Sequence, residues 1–255
     1  MKVTLIENAI DFILSALEYA QTNESRNLKY AALHLSDGVE LLLKERLRRE
    51  HWSLLFADVN KANQNALKTG EFKSVDFDDC IKRLESISAV DMGNHIGVMR
   101  ILRHIRNRLQ HFEYTGTKDE VISITVKTWS FVLDFLTDHL PDVMADQATT
   151  IDNIKRLMIK HEGFVKDRLT CIQPAVDRFR KQSDAVLQCP FCLQEAFLIP
   201  GNEEYPYCLF CRFSASPEEA VDNWCFEFFG FQSPKEQATN PVKFTCPECG
   251  SETLI

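Results

Sequence analysis

The stretch HIRNRLQHFEY, His104 to Tyr114, gathers two histidines, two arginines and an asparagine, with Arg100 and Arg103 just upstream. Its apolar residues recur at helical spacing. At about 100° per residue, Val98, Ile105, Leu109 and Phe112 cluster around Ile101 and define the expected core face. Arg100, Arg103, His104, Asn107 and His111 fall on the opposite side. Asn107 and His111, four residues apart, share a face. Arg106 lies between the two sides, roughly 140° from His111.

Outward from this helix the chain reads as a helical bundle. Helices are expected over Val3–Gln21, Asn23–Trp52, Asp78–Ile87, Val98–Tyr114 and Asp119–Leu140. The polar stretch DVNKANQNALKTGEFKSVDF reads as loop or short helix, Gly93 and Gly97 mark a break, and Pro141 stops the fifth helix. Two more helical stretches cover roughly Val143–His161 and Gly163–Ala185. The expected fold is mainly α: a helical bundle over 1–140, a helical extension over 141–187 and a small four-cysteine module over 188–255.

The side chains on the motif helix suit phosphate chemistry. An imidazole with the ordinary pKa of about 6.5 takes or gives a proton near neutral pH. A guanidinium can hold charge that grows on a phosphate, and an amide can orient either one. RNA carries its own nucleophile in the 2′-hydroxyl, so the chemistry requires no metal. The bland alternative is a solvated helix face, and spacing alone does not exclude it. Arg-x4-His occurs at Arg46/His51, Arg106/His111 and Arg156/His161, and only the middle copy has Asn after the Arg.

The R-N-x-x-x-H of Arg106, Asn107 and His111, preceded by the long helix AALHLSDGVELLLKERL and followed by one more, resembles the signature of the HEPN superfamily. The resemblance covers roughly residues 1–140. It implies an α-helical bundle and, for many members, a metal-independent endoribonuclease of toxin–antitoxin, antiviral (phage) defence or RNA-processing systems. It also implies a homodimer in which two motif helices face one cleft, with Arg106, Asn107 and His111 as catalytic residues. Some relatives of this kind are non-catalytic scaffolds. Arg100, Arg103 and His104 are candidate substrate contacts. His104 and His111 are about 10 Å apart along the axis, too far to share a metal. Glu40 either supports Arg106 or His111 from the neighbouring helix or, more simply, pairs with Lys44 one turn on.

The C-terminal segment carries a separate signal, Cys189-x2-Cys192-x15-Cys208-x2-Cys211. Each Cys-x-x-Cys turn presents two thiolates, and two turns close a tetrahedral structural site. The spacing resembles a zinc ribbon, with iron or unmetallated thiols as rivals. Four thiolates leave no open position, so a Zn²⁺ here is expected to be structural, with no catalysis at this site, and the RNA chemistry at the motif helix is expected to need no cofactor. CPECG, with Cys246 and Cys249, reads as half of a second ribbon, either truncated at the chain end or completed in trans. Cys225 in NWCFEFF reads as a buried core cysteine. Cys80 and Cys171 read as packing residues.

Charge narrows the partners. The chain has 255 residues and a formal net charge of −8, so there is no global attraction to nucleic acid. Residues 188–255 hold 3 Lys and Arg against 10 Asp and Glu, net −7. Phosphate binding depends on Lys and Arg, so the ribbon is expected to contact protein, and RNA is expected at the first domain. The start of the chain carries Glu7, Asp11 and Glu18 within its apolar pattern, unlike a signal peptide. No apolar run spans a bilayer. A cytoplasmic protein with no membrane partner is expected, its nine Cys being thiols or metal ligands. The leading functional reading is therefore an RNA-cleaving homodimer with a possible protein partner or antitoxin. A non-catalytic adaptor that assembles a defence or regulatory complex is the alternative. Nucleotide transfer is weaker, because no Gly-rich phosphate loop is present.

Overall fold

The chain begins with a helical hairpin. α1 (Leu5–Ala20) starts at Thr4, whose hydroxyl accepts the Glu7 amide while the Glu7 carboxylate accepts the Thr4 amide, a reciprocal cap. α2 (Ser25–Glu50) returns antiparallel to it, with Ser15 opposite His34 and Ile13 opposite Gly38. Small residues let the two backbones approach: Ala9, Ala16 and Ala20 on α1, and Ala31, Ala32 and Gly38 on α2, are buried. A Cβ on Gly38 would lie 2.8 Å from Ile13 Cγ1 and 3.2 Å from the Ala9 carbonyl oxygen. Gly38→Ala is therefore expected to destabilise the protein by about 1–2 kcal/mol, since overpacking outweighs the gain of up to about 1 kcal/mol in helix propensity. Urea denaturation checks this; an unchanged or raised midpoint would remove the close-approach argument.

The computed structural model describes residues 3–93, 95–183, 185–200, 205–230, 245, 247 and 250. They fall into two compact units, one ending at Val165 and the other beginning at Lys166. The division lies within the segment expected to be a helical extension.

In the first unit, short 3-10 turns and α3 (Gln64–Thr69) follow α2. α4 (Phe77–Ile87) is capped by Asp76, which accepts the Asp79 amide. Arg83 of α4 donates to the carbonyls of Leu54, Phe56 and Ala57 and ties the intervening loop to the helix. α5 (His95–His111) carries the motif and packs against α2 and α6 (Lys118–His139). Gly97, expected to mark a break, lies inside α5. α6 is buried on every side from Thr128 to Leu133, so it forms the centre of the bundle. α7 (Pro141–Asp146) and α8 (Ala148–Lys160) follow; the single helix expected over Val143–His161 is two, joined at Gln147, and α9 (Glu162–Ser183) crosses the division after Val165, most of it belonging to the second unit. Beside α7, Glu45 at the end of α2 is buried and accepts from Arg48 and Arg49, and Arg49 also pairs with Asp142.

The rotation of α5 differs from the sequence expectation. Met99, Leu102 and Ile105 are buried, whereas Ile101 is 46% and Phe112 79% exposed. The helix is apolar over a wide arc, and contact with α2 and α6 selects the edge holding Met99 and Leu102. Relative to a helix centred on Ile101, this turn brings Arg106 toward α2.

In the second unit, β1 (Val186–Leu187), β2 (Phe197–Leu198) and β3 (Tyr207–Cys208) form an antiparallel sheet in that order, with Val186 opposite Leu198 and Phe197 opposite Cys208. α10 (Pro217–Phe229) starts with a Ser216–Glu219 capping box and ends on Gly230 in the left-handed region. The fold is mainly α, a helical bundle followed by a small four-cysteine module.

Candidate functional site

Arg106 is held by two neighbours. Its Nε and Nη2 donate to Asp37 Oδ1 of α2 at 3.2 and 3.0 Å, and its Nη1 donates to Asn107 Oδ1 at 3.2 Å. The guanidinium is half-buried against the bundle, and Asn107 is exposed beside it. His111 stands one turn beyond Asn107, exposed, with no hydrogen bond, ion pair or ring contact to another described residue. Arg106 and Asn107 are thus joined directly, and His111 shares the Asn107 face at the end of α5.

Asp37 escaped the sequence reading. It lies one turn before Glu40 on α2, and both were acidic residues within reach of the motif helix by spacing. Glu40 instead receives Lys44 Nζ at 2.6 Å, and Lys44 also donates to Ser74. Only the rotation of α2 against α5 distinguishes the two acids. The Arg106–Asp37 pair fixes two of the guanidinium donors and leaves the remainder for Asn107 and a ligand. Asp37→Asn keeps the size but removes the charge. If Arg106 acts on RNA, this change is expected to lower cleavage by about tenfold through poorer positioning. Single-turnover rates check it, and a rate equal to wild type would dismiss Asp37 from the site.

The other candidate contacts divide. Arg100 and Arg103 meet Asp78 of α4 at 3.0 and 3.5 Å, and Arg103 also lies over the Phe77 ring. These are surface pairs, worth about 0–1 kcal/mol, and a polyanion can displace them. His104 is exposed and shares a face of α5 with His111, roughly 60–80° around the helix from exposed Ile101.

The chain matches no family model, no curated protein and no solved structure. Its functional reading accordingly rests on its own side chains.

The four cysteines of the second unit converge. Cys189, Cys192, Cys208 and Cys211 are buried, with all four sulfurs within 4.8 Å of one another. The Cys189–Cys211 and Cys192–Cys208 sulfur separations are both 3.7 Å. A tetrahedron with metal–sulfur bonds of about 2.3 Å has edges of about 3.8 Å, so the set fits a single tetrahedral ion. Burial pushes the Cys211 thiol up, while hydrogen bonds from Cys192, Cys208 and Cys211 hold the Cys189 thiol down. A divalent cation resolves that conflict by stabilising four thiolates together. These residues could hold a metal ion.

The two Cys-x-x-Cys turns are built alike. The Leu193 amide donates to the Cys189 carbonyl and the Arg212 amide to the Cys208 carbonyl, both at 2.9 Å. The Cys189 and Cys208 amides donate to Gln194 and Phe213. Leu193 and Arg212 adopt φ of 61° and 58°, at a cost of about 1–2 kcal/mol each for a residue bearing Cβ. Gly250, which follows CPEC in the sequence, has φ of 74°. Cys246 and Cys249 themselves lie outside the described residues. Cys225 is buried in α10 and is not part of the four, in keeping with a core cysteine. Burial pushes the Cys80 thiol up to about 12, and Cys80 packs in the core. Cys171 differs from its expected packing role: it is exposed on α9. Among the described residues, no helix is long and apolar enough to cross a membrane.

Proposed function

We propose that this protein is a metal-independent endoribonuclease of the HEPN type, acting as a homodimer through α5, with a structural zinc ion on Cys189, Cys192, Cys208 and Cys211. The observation that carries the reading is the Arg106–Asn107 hydrogen bond with an unengaged His111 one turn along the same exposed face. In the proposed reaction the RNA 2′-hydroxyl attacks the adjacent phosphorus. An imidazole accepts the hydroxyl proton, the O2′–P bond forms and the P–O5′ bond breaks. The departing 5′-oxygen takes up a proton, leaving a 2′,3′-cyclic phosphate and a 5′-hydroxyl. Arg106 neutralises charge on the phosphoryl oxygens as they crowd around phosphorus, and Asn107 orients the guanidinium. Bound zinc would join the two cysteine turns, a scaffold role with no open coordination position.

A dimer supplies what one chain lacks. Arg106 and His111 diverge around α5, so Arg106 of one protomer would meet His111 of its partner across a shared groove. Exposed Ile101 and Phe112, which flank the polar face of α5, are suited to such a contact. The deciding experiment is to incubate wild type and His111→Ala with total RNA and map the ends. Cyclic-phosphate ends produced by wild type alone support the proposal, and identical patterns remove it.

The second reading is a non-catalytic adaptor. It is favoured by Phe226 and Phe229, exposed on the acidic α10, which suit a protein partner such as an antitoxin better than RNA. Both readings are compatible with a cytoplasmic protein of a defence or toxin–antitoxin system.

A further inference from the structure

Arg168 is one of few charged side chains in the core, 3% exposed, and it reaches the four-cysteine site from α9. Its Nε donates to the Phe210 carbonyl and its Nη2 to the Leu209 carbonyl, both at 3.2 Å. Leu209 and Phe210 are the two residues between Cys208 and Cys211. The guanidinium therefore grips the turn that presents half of the sulfur donors. From another direction the Leu209 amide donates to the Ala196 carbonyl at 3.0 Å, so the turn is anchored on both sides.

We infer that Arg168 is a positioning residue for a metal ion at this site, setting the Cys208–Cys211 turn and offsetting the charge of the loaded centre. Four thiolates around a divalent ion carry a formal charge of −2. Burying that charge is costly unless a counter-charge and hydrogen bonds accompany it. A guanidinium suits the task because its planar fork spans two neighbouring carbonyls and it stays protonated when buried. Through these carbonyls it fixes the turn. Groups that orient the ligands of a metal commonly govern affinity by 10–100-fold. The inference concerns the second unit alone and stands whether or not the first unit cleaves RNA.

The test is metal affinity of the full-length protein, measured by competition with a chromophoric zinc chelator and by the absorption of Co²⁺ bound to sulfur. Arg168→Met is expected to bind zinc about 10–100-fold more weakly while retaining the tetrahedral Co²⁺–thiolate spectrum at saturation. Arg168→Lys keeps the charge but not the planar fork and is expected to recover part of the affinity. A packing role alone would not be rescued by Lys over Met. Should Arg168→Met be insoluble, Arg168→Gln, neutral with one donor, is measured in its place and is expected to fall between wild type and Met. Affinity of the neutral variant within twofold of wild type overturns the inference, as does a Lys variant no tighter than the neutral one.

Discussion

His111→Ala is expected to lower RNA cleavage by about 10²–10⁴-fold if the protein is the proposed nuclease, the contribution of a positioned acid or base, and to leave thermal stability unchanged. The second half of that expectation follows from exposure: the His111 side chain makes no hydrogen bond, ion pair or ring contact to another described residue, and surface substitutions of this kind change stability by about 0.5 kcal/mol or less. Arg106→Ala lowers cleavage by about 10²–10³-fold, the effect of removing one donor to an oxyanion. It also releases Asp37, at a stability cost of about 1 kcal/mol for a half-exposed pair. Under the proposed mechanism, brief EDTA treatment is expected to leave both the wild-type rate and the mutant defects unchanged.

The dimer gives this prediction a sharper form. If the site combines Arg106 of one protomer with His111 of its partner, an Arg106→Ala/His111→Ala heterodimer keeps one of two sites intact. An equal mixture that exchanges subunits freely should recover about a quarter of wild-type activity, since half the dimers are mixed and each carries one working site. Recovery no greater than the sum of the separate mutants would confine the chemistry to a single chain. Full wild-type cleavage by both single mutants would remove the nuclease reading altogether.

With a metal ion bound at the four cysteines as proposed, prolonged chelation, or Cys208→Ser, is expected to abolish amide-exchange protection across residues 185–200 and 205–230 while α1, α2 and α6 keep theirs. The magnitude comes from the small core. Three two-residue strands and one helix bury little apolar surface, whereas a structural zinc ion in a comparable module contributes about 10–16 kcal/mol of apparent binding free energy. Removing one thiolate also opens the coordination shell and leaves three buried sulfurs with no fourth partner. Hydrogen exchange read by mass spectrometry, with and without chelator, checks the result. Unchanged protection after verified metal removal would show that packing of Phe197, Phe210 and Cys225 suffices to hold this unit.

The sequence by itself determined the helical period of the bundle and the pairing of four cysteines in two close-spaced turns. Each is a local property. Helical period follows from backbone geometry, and a Cys-x-x-Cys turn brings its own two sulfurs together. The motif triplet was equally legible, because Arg106, Asn107 and His111 lie on one helix.

What only the tertiary structure decided are the rotations and the long-range partners. Periodicity tells which residues of α5 share a face, but its apolar arc is wide, and packing against α2 and α6 chose Met99 and Leu102 over Ile101 and Phe112. That choice exposed an apolar edge beside His111 and turned Arg106 toward α2. There Asp37 rather than Glu40 receives it, two acids one turn apart that spacing cannot tell apart. Arg168 carried no signal either, since the carbonyls it holds lie more than forty residues away. A helix fixes the relative angles of its own side chains, whereas its absolute orientation is set by the surfaces that bury it.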